Sequence, residues 1–229
     1  MSTLIIPGDS IPINQKSEQL IGPGLHIDLN TKEIIPINSG LLQNGNKSIH
    51  IESNSKRYIP QTNDYVIGTV TGSFGDIFRV SLSNFSSSVS LSAMAFPNAS
   101  KKNRPNLKVG SLIYARVSNA DPIVDIEIEC IDPTTGKDGG FGLLEDGFVF
   151  DVNLAFARNL LFDANHPILK LLVQKCKFEI AIGLNGKIWI KTDDLKYTLA
   201  CSKSIQNCQS VTSTRFKEII NTVFKELGL

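Results

Sequence analysis

The chain has 229 residues, 41% of them hydrophobic and 20% charged, with a net charge of +1. That balance excludes a disordered chain, and it excludes a protein coated all over in nucleic acid; any phosphate binding must come from a local patch. The length suits one large domain or two to three small ones. No run of eighteen apolar residues occurs, and no charged segment followed by an apolar one opens the chain, so a soluble intracellular protein is expected. Cys130, Cys176, Cys201 and Cys208 show no C-x-x-C spacing and are expected to be buried free thiols.

Residues 1–57 are rich in turn residues. Pro7-Gly8-Asp9 and Gly22-Pro23-Gly24 punctuate short β-prone pieces at 4–6, 33–35 and 48–51, which predicts a small β domain. Residues 58–133 predict five strands. The first, 65–71, places Val66 and Val70 inward around Gly68. The second, 77–82, places Phe78, Val80 and Leu82 inward and Arg79 outward. Strands at 88–92, 112–117 and 124–130 complete the set, with a long excursion between the third and fourth. Five strands connected in that way suit an OB barrel. Residues 134–146 are glycine-rich and fit neither a phosphate loop nor a dinucleotide fingerprint, so they are read as a connector.

Residues 147–229 change character. A strand at 148–152 precedes helices through Leu154–Leu161 and Ile168–Val173, the second entered through His166-Pro167. Two alternating strands then flank the turn Gly183-Leu184-Asn185-Gly186, whose glycines and Asn tolerate positive φ. Asp193 or Asp194 starts a third helix, and Phe216, Ile219, Ile220, Val223, Phe224 and Leu227 form the stripe of a fourth. Helices on one face of a small sheet predict an α+β domain. The chain as a whole is therefore read as multidomain and mainly β, with an α+β C-terminal domain. Trp189, the one tryptophan, alternates with Ile188 and Ile190 and shares the face of Lys187 and Lys191. It must find either a second apolar surface or a base to stack on.

The turn GLNG, the phrases VIGTVTGSFG and LKVGSLIYARV, and the opening PGD…GPGL together resemble the S1/KH RNA-binding cap subunits of the eukaryotic RNA exosome. The resemblance covers nearly the whole chain. It implies an N-terminal β domain at 1–57, an S1 (OB-fold) barrel at 58–133, and a KH domain at 147–229 after the 134–146 connector. It also implies a non-catalytic subunit that helps guide RNA into the complex for 3′→5′ processing and degradation, including ribosomal RNA maturation. The partners implied are single-stranded RNA, a ring of RNase PH-like subunits and other cap subunits. No membrane, small-molecule substrate, cofactor or metal is implied. The implied location is the nucleus and nucleolus, and also the cytoplasm. A stand-alone S1/KH RNA-binding or translation factor is the alternative, and a nuclease in its own right is a third reading.

The residues themselves yield no catalytic set. His26, His50 and His166 are scattered, and Asp193-Asp194 reads as a helix cap. Asp125, Glu127 and Glu129 line one strand face and read as a solvated acidic stripe that RNA would avoid. Candidates for RNA contact gather at the barrel. Phe74 stands in the loop between the first two strands, Arg79 points outward, and Phe85 sits in a turn; Lys101, Lys102 and Arg104 occupy the long excursion. The phenylalanines either stack on bases or plug the barrel, and the basic cluster either follows phosphates or is a solvated loop. Gly183, Leu184, Asn185, Gly186 and Trp189 form a motif that either packs the KH domain on the barrel or touches RNA.

Overall fold

The computed structural model describes residues 3–11, 20–45, 48–55, 57–84, 86–100, 102–121, 123–163 and 166–229. The chain divides into two compact units, 1–55 and 56–229. In the first unit, isoleucines recur at short intervals between turn residues, and the strands are correspondingly short. They are β1 (Thr3–Ile5), β2 (Leu20–Ile21), β3 (Leu25–Ile27), β4 (Ile34–Pro36), β5 (Gly40–Asn44) and β6 (Ser48–Glu52). Four of them form a sheet in the order β1-β5-β6-β2, and β3 and β4 form a hairpin. Ile5, Ile11, Leu25, Ile34, Ile49 and Ile51 supply its core. Strands β2 and β3 were not legible in the sequence, because two- and three-residue strands are too short to show alternation, and β5 was missed because Gly40-Leu41-Leu42-Gln43-Asn44 does not alternate.

The second unit begins with a barrel. Its strands are β7 (Tyr65–Phe74), β8 (Ile77–Ser81), β9 (Val89–Ser92), β10 (Leu112–Asn119) and β11 (Glu127–Glu129). Neighbours pair antiparallel from β9 through β8 and β7 to β10 and on to β11, and a parallel β9–β11 pairing closes the ring. Closure removes every free edge from the five strands. Val66, Val70, Phe78, Val80, Leu91, Ile113 and Val117 fill the interior. Two details differ from the sequence reading. Strand β7 runs on to Phe74, which pairs with Ile77, so Phe74 belongs to the strand and not to a loop. The segment read as a connector contributes β12 (Gly142–Leu144), which pairs with Leu112–Tyr114 of β10.

The α+β part follows with β13 (Phe148–Asp151), α1 (Leu154–Phe162), α2 (Pro167–Val173), β14 (Glu179–Ile182), β15 (Lys187–Lys191), α3 (Leu195–Cys208) and α4 (Phe216–Glu226). Its antiparallel sheet has the order β13-β15-β14. Strand alternation sends Phe150, Ile182, Ile188 and Ile190 to the helices, where they meet Leu160, Ile168, Leu172, Ile205 and Phe224. Helix α3 starts at Asp194, whose side chain accepts from the Lys196 amide at 3.1 Å. The four cysteines are free thiols. Burial pushes the Cys208 thiol up to about 11 and the Cys130 thiol to about 12, so both stay protonated.

Candidate nucleic-acid interface

The second face of the small sheet decides what the GLNG turn does. Alternation turns Ala181 and Trp189 away from the helices, and both pack on Ile67, which lies on the outer face of barrel strand β7. Leu112, Tyr114, Leu144 and Val149 surround them. Trp189 is 5% exposed, and its indole N–H has no acceptor among the described residues. A Cβ added to Gly147 would lie 2.1 Å from Trp189 Nε1, so only a glycine allows the ring this position. Lys187 and Lys191, on the same face, pair with Asp151 at 3.4 Å and Asp146 at 3.6 Å.

The turn carries the sheet into the barrel. Asn185 is 7% exposed, and its side chain bonds to barrel backbone. Its Oδ1 accepts from the Ile67 amide at 3.2 Å, and its Nδ2 donates to the carbonyls of Ile67 and Leu82, each at 2.8 Å. These groups lie beyond Thr69–Ser81, where the β7–β8 ladder ends, so the amide completes pairing that the strands leave undone. The Leu184 amide donates to Tyr65 O at 2.7 Å, and the Tyr114 hydroxyl donates to Ile182 O at 3.3 Å. A Cβ on Gly183 would meet Asn185 Oδ1 at 2.3 Å, and Gly186 has φ +78. Gly183, Leu184, Asn185 and Gly186 are all buried, so their backbone is closed to nucleic acid. The burial of all four residues against the barrel is the observation from which packing is proposed for this turn.

Ile67 was missed in the sequence reading as part of this contact. The signal was there: Val66-Ile67 is a consecutive apolar pair in an otherwise alternating strand, the mark of burial on both faces.

The RNA candidates gather toward the other end of β7, at and beyond its hairpin with β8. Phe74 is 87% exposed and cannot plug the interior; it stands at the β7–β8 hairpin with half-exposed Ile77 opposite. Arg79 points outward, donates to Ser90 Oγ at 3.3 Å, and pairs with Asp125 at 3.0 Å. Arg104 pairs with Asp76 at 2.5 Å, which ties the long excursion to the same hairpin. Lys102 is exposed. Phe85 and Lys101 lie outside the described residues. The structure thus gathers Phe74, Asp76 and Arg104 at one hairpin, with Arg79 farther along β8.

The acidic stripe is not the continuous feature expected. Asp125 precedes β11 and reaches Arg79, while Glu129 pairs with Arg116 of β10. Arginines on β8 and β10, invisible to a reading of one strand at a time, break it up. Among the described residues, no three His, Cys, Asp or Glu side chains come together as metal ligands.

Comparison with known proteins agrees with this architecture. Residues 20–57 match the family described as "Exosome complex exonuclease Rrp40 N-terminal domain", 58–142 "Exosome complex component RRP40, S1 domain", and 147–196 "KH domain". Exosome complex component RRP40 of Saccharomyces cerevisiae is 54% identical over 99% of this chain and 98% of its own length. The Schizosaccharomyces pombe protein of that name is 38% identical over 96% of this chain and 94% of its own. A solved structure described as "putative exosome complex RNA-binding protein" shares the fold, with a TM-score of 0.59 at 23% identity over 75% of this chain and 97% of that one. With an S1 barrel, a KH domain and full-length identity at this level, the chain belongs to the exosome complex component RRP40 family.

Proposed function

We propose that this chain is a non-catalytic, RNA-binding cap subunit of an RNA exosome. The observation that carries the reading is the match of all three segments, N-terminal, S1 and KH, to a relative named as an exosome complex component. In this reading the chain sits with other cap subunits on a ring of RNase PH-like proteins. It helps guide single-stranded RNA toward a 3′→5′ exoribonuclease in another chain, in ribosomal RNA maturation as in degradation. The complex would work in the nucleus and nucleolus, and also in the cytoplasm.

The barrel supplies the RNA face through Phe74, Arg79, Lys102 and Arg104. An exposed aromatic ring offers a stacking surface, and the arginines can exchange their exposed carboxylate partners for phosphates, because such pairs are weak. The buried seam supports the division of labour, since it holds barrel and KH domain as one body while leaving that face open. No described helix is long and apolar enough to cross a membrane.

Affinity purification of the tagged chain tests the assembly. Ring and cap proteins should co-purify in stoichiometric amounts; recovery of the chain alone, binding RNA tightly as a monomer, would favour the stand-alone factor. A 3′-labelled RNA incubated with the pure chain and Mg²⁺ tests the non-catalytic role. Steady, metal-dependent shortening would overturn it.

A further inference from the structure

A second surface of the barrel, away from Phe74 and Arg79, has the makings of a binding site. Tyr65 at the start of β7, Tyr114 on β10 and Phe141 just before β12 form an aromatic cluster. Tyr65 and Tyr114 each lie 5.3 Å from Phe141 between ring centres, and 6.3 Å from one another. With Asn63, Arg116 and Asp132 they line a cleft of about 300 Å³. Tyr65 is 37% exposed.

The polar rim is fixed before any ligand arrives. The Arg116 guanidinium donates to Asn63 Oδ1 and to Glu129 Oε1. Asp132 accepts from the Thr134 amide and the Thr135 hydroxyl, both at 2.9 Å. Those bonds, the Thr134 amide first, hold its carboxyl below the usual range, so it is an ionised acceptor at neutral pH.

Charge narrows the choice of ligand. Glu129 neutralises Arg116 and Asp132 is ionised, so a phosphate would be repelled. Residues 58–146 also carry ten Asp and Glu against seven Lys and Arg. A cationic side chain would have to stand beside the Arg116 guanidinium, which lines the same cleft. A flat, neutral ring with donors and acceptors along its edge suits aromatic walls and a mixed polar rim.

We propose that this cleft receives one unstacked base of a single-stranded RNA, stacked on Tyr65 with its edge toward the Asn63 amide and the Asp132 carboxylate and its phosphates left outside. The proposal rests on the RNA-binding reading above and adds a base subsite to it.

The test is fluorescence anisotropy of labelled single-stranded RNA with the full chain over a range of salt concentrations. Tyr65→Ala should weaken binding by about 5- to 150-fold, the range for loss of one stacked base, with no change in the slope of log affinity against log salt. Tyr65→Phe keeps the ring and should keep the affinity. If Tyr65→Ala lowers the melting temperature, Asn63→Gly serves instead, since φ +74 at that position suits glycine; it too should weaken binding without changing the slope. Full affinity in Tyr65→Ala and Asn63→Gly, while wild type binds RNA, would overturn the subsite and leave the RNA reading standing. Absence of binding by wild type would overturn both. Competition by adenosine 5′-monophosphate as strong as by the oligomer would reassign the cleft to free nucleotides. Effective competition by an acetylated arginine amide, with none by adenosine, would reassign it to a protein partner.

Discussion

Trp189 shows how much one residue's surroundings settle. Its ring fills the space between sheet and barrel, and its edge lies against Gly147. Gly147→Ala would force a shift in a packed seam, at about 1–3 kcal/mol. For a chain of this size that lowers the melting temperature by roughly 2–4 °C per kcal/mol. Thermal unfolding checks this, and Trp189 emission in the variant should move to the red. His166 offers a second test. It packs between Phe156 at 5.7 Å and Phe216 at 5.9 Å, its Nδ1 lacks a partner, and burial lowers its pKa, with Asp163 opposing in part. A lowered folded value means the unfolded chain takes the proton first. Stability is therefore full above the ordinary value of about 6.5, declines as pH falls below it, and stops declining once pH passes the folded value. Melts at pH 8 and pH 5.5 should differ more in wild type than in His166→Phe, which keeps the ring and loses the titration. Equal differences would remove His166 from the account.

Elements follow from local chemistry where the sequence repeats a pattern long enough. Helix α3 begins where Asp194 can cap it, and Asp194→Ala should cost about 0.5–2 kcal/mol, read as a lower melting temperature with unchanged far-ultraviolet dichroism. A variant as stable as wild type would mean the cap contributes nothing. The five barrel strands were legible because alternation in the sequence runs on beyond the shorter paired strands, as at 88–92 and 124–130, and the four helices because of their 3.6-residue stripes. Strand β12 was not, since Gly142-Leu143-Leu144 sits in a glycine-rich run and exists as a strand only because β10 offers it an edge. The seam was half legible. Trp189 on the wrong face announced a contact, and the partners Ile67 and Leu82 came only with the fold. The aromatic cleft was not legible at all, because Tyr65, Tyr114 and Phe141 meet from three separate segments.

The whole chain is nearly neutral, but its parts are not. Residues 147–229 carry eleven Lys and Arg against seven Asp and Glu, the reverse of the barrel's balance. On the proposed reading, RNA on the barrel would be held locally, by a few cations and by stacking, and not by a general field. Changing Lys102 and Arg104 together to Ala should lower the log–log salt slope of RNA binding by roughly 1.4, about 0.7 for each single-strand phosphate contact. A fall of about 0.7 would mean that Arg104 stays with Asp76 in the complex, and an unchanged slope would mean that neither residue lies on the path. The central claim is that the Gly-Leu-Asn-Gly turn joins barrel to KH domain and takes no part in binding RNA. Equilibrium unfolding of Asn185→Ala, followed by Trp189 emission with an RNA titration on the same sample, tests it most directly. The variant orphans the Ile67 amide and the Ile67 and Leu82 carbonyls, each worth about 1–3 kcal/mol when left buried without a partner. The account predicts a loss of at least about 2 kcal/mol, after water fills part of the gap, with RNA affinity of the folded fraction unchanged. Wild-type stability with lost RNA affinity would contradict it.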